Sequence, residues 1–219
     1  MSSVAIARCA GKASAAIREA DPAFGFIALD GMPWVTIERT EEKVGGQTIA
    51  TTVTGTGARR RRDHTAVPFR FTCLLNDKGE AVMFHTSQLL SRLRDDLPPS
   101  YFVNGTATYL ERMAAPKDME LRVQLLDVAK PSNPEILTEQ VVRTGWQVPL
   151  PFFLRLPKDT PTEGRKLVIG ARMMAGNEVL FALKEPRPIS SADLGRSIDL
   201  TLTKSRNSGP AVIGSAPPA

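Results

Sequence analysis

The sequence predicts a mainly β protein in two parts: a small α+β domain, built from one helix and an antiparallel meander, followed by a seven-stranded antiparallel β-sandwich. Three observations carry that expectation. Apolar and polar residues alternate with period two through most of the chain from residue 34 onward. An Ala-rich stretch with helical spacing precedes them, and Leu97-Pro98-Pro99-Ser100 interrupts the pattern near mid-chain. The expected organisation is therefore a domain over 1–97, a linker over 98–100, a sandwich over 101–205 and a disordered Gly/Ser/Pro-rich tail over 206–219.

In the first part, residues 3–19 place Val4, Ile6, Cys9, Ala13, Ala16 and Ile17 near helical spacing. Ser2 or Ser3 caps the start, and Asp21-Pro22 stops the run because a residue before proline is pushed out of the α region. Strands are expected over 34–39, 48–56, 67–75 and 81–85, the second a β-branched run. Gly45-Gly46 and Asn76-Asp77-Lys78-Gly79 read as turns, 59–64 as a loop, and 87–93 as a short helix.

The double proline marks the boundary because proline lacks a ladder donor and favours an extended spacer. Beyond it, seven strands are expected over 102–110, 120–128, 136–142, 148–156, 166–173, 178–183 and 198–203, separated by turn clusters. Leu121, Val123 and Leu125 alternate with Glu120, Arg122 and Gln124, predicting one face toward a core and one toward water. In Val148-Pro149-Leu150-Pro151 the prolines exclude a central strand and place the segment at an edge or bulge. Such prolines block unwanted pairing, although an edge is also where an extended partner docks.

Composition narrows the function classes. No apolar run approaches the roughly 18–20 residues needed to cross a bilayer as a helix. The formal charge is +5, which attracts anions, but aromatics are 6% and lie in apolar runs rather than among basic residues, so nucleic acid is not an expected partner. His64 and His85 are the only histidines, and neither is accompanied by the nucleophile and orienting acid that catalysis requires. Gly55-Thr56-Gly57 lacks the helix and third glycine of a dinucleotide site. No enzymatic activity, cofactor or metal is expected; two cysteines without clustered histidines cannot complete a tetrahedral site.

One resemblance extends this reading. Gly105-Thr106-Ala107-Thr108-Tyr109 with Glu111-Arg112-Met113, the stretch from Leu121 to Val128, Gln147-Val148-Pro149-Leu150-Pro151-Phe152, Gly170-Ala171-Arg172 and Leu180-Phe181 resemble, in order and spacing, the YbaY family of bacterial envelope proteins. That family includes YscW-like lipoproteins, the pilotins that escort outer-membrane secretins of type III secretion. The resemblance covers about residues 101–205 and implies a compact β-sandwich, an extracytoplasmic location and no catalysis. It implies a periplasmic or outer-membrane-associated binding protein, pilotin-like or chaperone-like, whose partner is an envelope protein, glycan or glycolipid. The alternative function is an enzyme or enzyme inhibitor acting on envelope polysaccharide. Cys9 is not an expected lipidation site, because Arg8 stands where a small residue is needed. The first residues also lack the apolar core of roughly 7–15 residues of an export signal, so such a signal is expected to lie outside this sequence, with a cytoplasmic protein as the alternative.

Candidate site residues follow. Cys9 and Cys73 form a disulfide in an oxidising compartment, the location the resemblance implies, or else are two buried thiols. Arg59, Arg60, Arg61 and Arg62 are expected on an exposed loop, either simply solvated or contacting an anionic lipid or acidic partner. Val148, Leu150, Phe152 and Phe153 are candidate interface residues; neighbours on a strand face opposite sides, so one of the two phenylalanines points outward.

Overall fold

A computed structural model describes residues 2–21, 23–61, 65–89, 99–111, 113, 116, 118–144 and 148–205. The protein is mainly β, with one N-terminal α-helix followed by thirteen strands among the described residues. The chain divides into two compact units that are not simply consecutive: residues 1–97 with 141–146 form the first, and 98–140 with 147–219 the second.

In the first unit, helix α1 (Ser2–Ala20) packs on a sheet of β1 (Phe24–Asp30), β2 (Val35–Val44), β3 (Gln47–Arg61), β4 (Val67–Asn76) and β5 (Ala81–Gln88). The order is β5–β4–β3–β1, with β2 also on β3. The helix buries Ile6, Cys9, Ala10 and Ala13 against Ile27, Leu29, Val53, Phe71, Cys73 and Leu75. Three and four residues separate these helical positions, so they form one stripe. The helical face differs in detail from the expected one, since Val4 and Ala16 are exposed and Ala10 is buried. Arg8 on the outer side donates to the carbonyls of Lys78 and Gly79 in the β4–β5 turn, where Gly79 supplies a φ of +72°.

Two elements differ from the sequence reading. β1 was not expected at all. All seven of its residues are buried, so it shows no alternation to read. The expected loop over 59–64 begins instead as strand: Arg59, Arg60 and Arg61 end β3, opposite Ile27, Phe26 and Phe24 of β1. The expected helix over 87–93 also fails where it is described, because Ser87 and Gln88 end β5. Leu89 follows outside any helix or strand, and residues 90–93 lie outside the described residues, as do Arg62 and His64.

The second unit contains β6 (Ser100–Tyr109), β7 (Met119–Asp127), most of β8 (Glu135–Thr144), β9 (Leu150–Pro157), β10 (Leu167–Ala175), β11 (Glu178–Ala182), the two-residue β12 (Arg187–Pro188) and β13 (Ser197–Lys204). Their order is β8–β7–β10–β11–β13–β6–β9, with β12 also on β10. The pairing is not wholly antiparallel, as the sequence led us to expect: β13 runs parallel to β6, from Ser197 beside Asn104 to Leu202 beside Tyr109. Gly105 allows this approach, because a Cβ there would lie 1.8 Å from the Ile198 carbonyl oxygen. Inward residues of β6, β9 and β13 (Val103, Ala107, Leu150, Phe152, Leu154, Ile198 and Leu200) are buried, as are Leu121, Val123 and Leu125 of β7.

Candidate functional site

The second unit carries two unusual features, one buried and one exposed. The buried one is the polar face of β7. Glu120, Arg122 and Gln124, expected to meet water, are almost fully enclosed together with Glu139 and Arg172. Alternation in sequence distinguishes two faces of a strand but does not reveal that both are covered. Charge pairing makes the burial tolerable. The Arg122 guanidinium contacts the Glu120 carboxylate at 2.6 Å, and Gln124 Nε2 donates to Glu139 Oε2 at 3.0 Å. Arg172 stands directly across the ladder from Arg122. Burial, and then the Arg122 charge, lower the pKa of Arg172, while Glu139 and Glu120 oppose that shift. Two guanidiniums and two carboxylates thus balance one another on one sheet face. Each carboxylate already has a polar contact within the cluster, an arrangement suited to fixing strand register rather than to proton transfer. Among the described residues, no group of three or more His, Cys, Asp or Glu side chains could hold a metal.

The exposed feature lies on β6 and β9. β9 ends the strand order and, among the described residues, pairs with β6 alone. Its outward-facing backbone is closed in two ways. The Phe153 amide donates to Gln140 Oε1 at 2.8 Å, and Gln140 Nε2 donates back to the Phe153 carbonyl at 2.9 Å, so a side-chain amide takes the place of a neighbouring strand there. Pro151 and Pro157 share Phe153's alternation along the strand and have no amide to offer. An edge arranged in this way does not accept an added strand readily.

What β9 presents is therefore its side-chain face. Register places Phe102 opposite Arg155, and Asn104 opposite Phe153, so Phe102 and Phe153 are diagonal neighbours on the outward face. Phe102 is 51% exposed and Phe153 is partly buried. At the end of β6, Tyr101 is also exposed, and the Lys158 ammonium lies 5.9 Å from its ring centroid. The result is a small aromatic surface with Arg155 and Lys158 beside it.

Of the four expected interface residues, Leu150 and Phe152 are fully buried and belong to the core, because they occupy the inward positions of β9. Phe153 faces out, and Val148, just before β9, is partly buried and joined to Pro149 by a cis peptide bond. Sequence reasoning missed Tyr101 and Phe102. The available signal was two consecutive aromatics at a strand start directly after a double proline, where alternation sends one of them away from the core. Elsewhere, Cys9 and Cys73 are joined by a disulfide that ties α1 to β4. Arg59 and Arg61 are exposed on β3, and Arg60 is partly buried.

Residues 98–202 match the family model described as Type III secretion system lipoprotein chaperone (YscW). This stretch is YscW-like. Among solved structures, the chain is similar to one described as an alternative pilotin from the type II secretion system of Vibrio cholerae, with 19% identity and a TM-score of 0.45 over 50% of this chain and 100% of that one. No curated protein matches the chain.

Proposed function

We propose that this is a non-enzymatic binding protein of the cell envelope that acts as a pilotin-like chaperone, holding a protein component of a secretion apparatus. The observation that carries the reading is the match of residues 98–202 to a family of secretion lipoprotein chaperones. The contact surface is the outward face of β6 and β9, with Phe102 and Phe153 as apolar anchors and Arg155 and Lys158 as a basic rim. Exposed aromatics of this kind form the energetic centre of many protein interfaces. A partner segment that is apolar with acidic flanks suits the surface, and the closed edge of β9 favours side-chain docking over strand addition.

The test is a photo-crosslinking amino acid placed at Phe102 in the full chain, expressed in its own host. The expected product is a covalent adduct with an envelope component of a secretion system, reduced by Phe153→Asp. Recovery of cytosolic proteins alone, or fractionation of the chain with the cytosol carrying reduced Cys9 and Cys73, overturns the proposal.

A further inference from the structure

The arginines that end β3 have a role that the chaperone reading does not use. Successive strand residues point to opposite faces, and pairing with β1 identifies those faces. Arg59 lies opposite Ile27, and Arg61 opposite Phe24, both members of the core beneath α1. Arg60 lies opposite Phe26, and its guanidinium is 5.1 Å from that ring's centroid on the other face. The last turn of α1 adds Arg18, which is exposed, lies 5.8 Å from the Phe24 ring centroid and donates to the Thr144 carbonyl at 2.9 Å. Four guanidiniums thus gather around one end of the first unit. Asp21 engages Arg61 at 2.8 Å, and Arg59 has no ion pair among the described residues.

We infer that this end of the first unit is a docking surface for an anionic lipid bilayer. The arginines spread over both faces of a strand end instead of lining one groove, which suits a broad charged plane better than an enclosed anion. The rings beneath them, Phe24 and Phe26, are buried. They cannot stack on bases, as single-stranded nucleic-acid sites require. The Arg18, Arg60 and Arg61 guanidiniums are held by rings, by a backbone carbonyl and by a carboxylate, so these three lose little side-chain freedom on contact.

Co-sedimentation of the full chain with vesicles of about 30% phosphatidylglycerol in phosphatidylcholine measures the partition coefficient. Binding is expected at low salt, with none to phosphatidylcholine alone, and steep weakening as ionic strength rises. Arg59→Gln should weaken partition about fivefold. Asp21→Asn should strengthen it about threefold or more by releasing Arg61 from its counter-charge. Arg39→Gln on β2 removes the same charge elsewhere and should change partition less than about twofold. Three results overturn the inference: no binding to anionic vesicles, equal losses for Arg59→Gln and Arg39→Gln, or tighter binding to a random-sequence DNA duplex than to vesicles at the same ionic strength.

Discussion

Replacing Gly105 with alanine tests the parallel pairing of β6 with β13. A Cβ at this position would lie 1.8 Å from the Ile198 carbonyl oxygen and 2.7 Å from its carbonyl carbon, whereas ordinary contact begins at 3.4 Å. The obstacle is backbone, so rotation of a side chain cannot relieve it. β13 must retreat by roughly 1.5 Å, which stretches a ladder bond of about 2.9 Å well beyond hydrogen-bonding range. Overpacking of this kind costs about 1–3 kcal/mol. Loosening Ile198 and Leu200 from the core adds to it, for a total of about 4 kcal/mol. Alanine restricts the unfolded chain and recovers only about 0.4–1 kcal/mol. The net loss is about 3–3.6 kcal/mol, and for a chain of this length the melting temperature should fall by about 6–14 °C. Thermal and urea unfolding followed by circular dichroism measure the change. Gly46→Ala is the control: its added Cβ meets nothing within 4 Å, so its effect should stay within about 0.5 kcal/mol. A loss below about 1 kcal/mol for Gly105→Ala would falsify the parallel register.

Three further outcomes are expected. Cys9→Ser with Cys73→Ser removes a crosslink between residues 64 apart in sequence and should lower stability by up to about 4 kcal/mol, measured by urea unfolding against the oxidised protein. Arg122→Met removes the counter-charge beside buried Glu120 and should cost about 3–5 kcal/mol, whereas Glu120→Leu with Arg122→Met should recover most of that loss in the same assay. The third concerns acid. The Ala129 amide, followed by the Lys166 amide and Arg165, holds the Asp127 carboxyl below its ordinary pKa, and the Ser190 amide and hydroxyl do the same for Asp193. Because the folded values are depressed, their stabilisation is complete above the ordinary carboxylate pKa near 4 and disappears as pH falls through the folded values. Unfolding midpoints should therefore drop steeply below about pH 4, and less steeply in Asp127→Asn; equal slopes would remove Asp127 from the explanation.

Local pattern revealed much of this molecule. The helix at the N-terminus and all seven strands expected after the double proline are present; β6, β9, β11 and β13 bury one face and alternation records it, whereas β7, β8 and β10 are covered on both faces but lie between clear turn clusters. The elements that were missed share a physical cause. β1 is enclosed on both sides and reads only as Phe-Gly-Phe-Ile-Ala-Leu, a run without period. Arg59, Arg60 and Arg61 read as loop because charge is uncommon inside strands, yet β1 pairs with all three, and β4 with Arg59, to hold that end of β3 in the ladder. The pairing of β13 with β6 joins segments about ninety residues apart, and no local signal encodes direction. In the candidate surface, alternation required one of Phe152 and Phe153 to face outward without saying which, and Leu150 and Phe152 lie in the core because apolar residues beside prolines serve a core and an interface equally well. The burial of Glu120 and Arg122 depends on packing and leaves no mark in the strand's own sequence.

The division of β8 has a practical consequence for dissecting the protein. Its first six residues count with the second unit, while Val141 to Thr144 count with the first, where Val141 enters the core beneath α1 and the Thr144 hydroxyl donates to the Gly25 carbonyl. Cleaving the chain at the double proline therefore separates sequence without separating structure. An isolated N-terminal fragment would lack a core residue and an acceptor for Arg18, and an isolated C-terminal fragment would carry apolar residues whose partners had gone. A binding result obtained with either fragment would describe a damaged surface, so assignments of activity to one half are better made by point substitution in the intact chain.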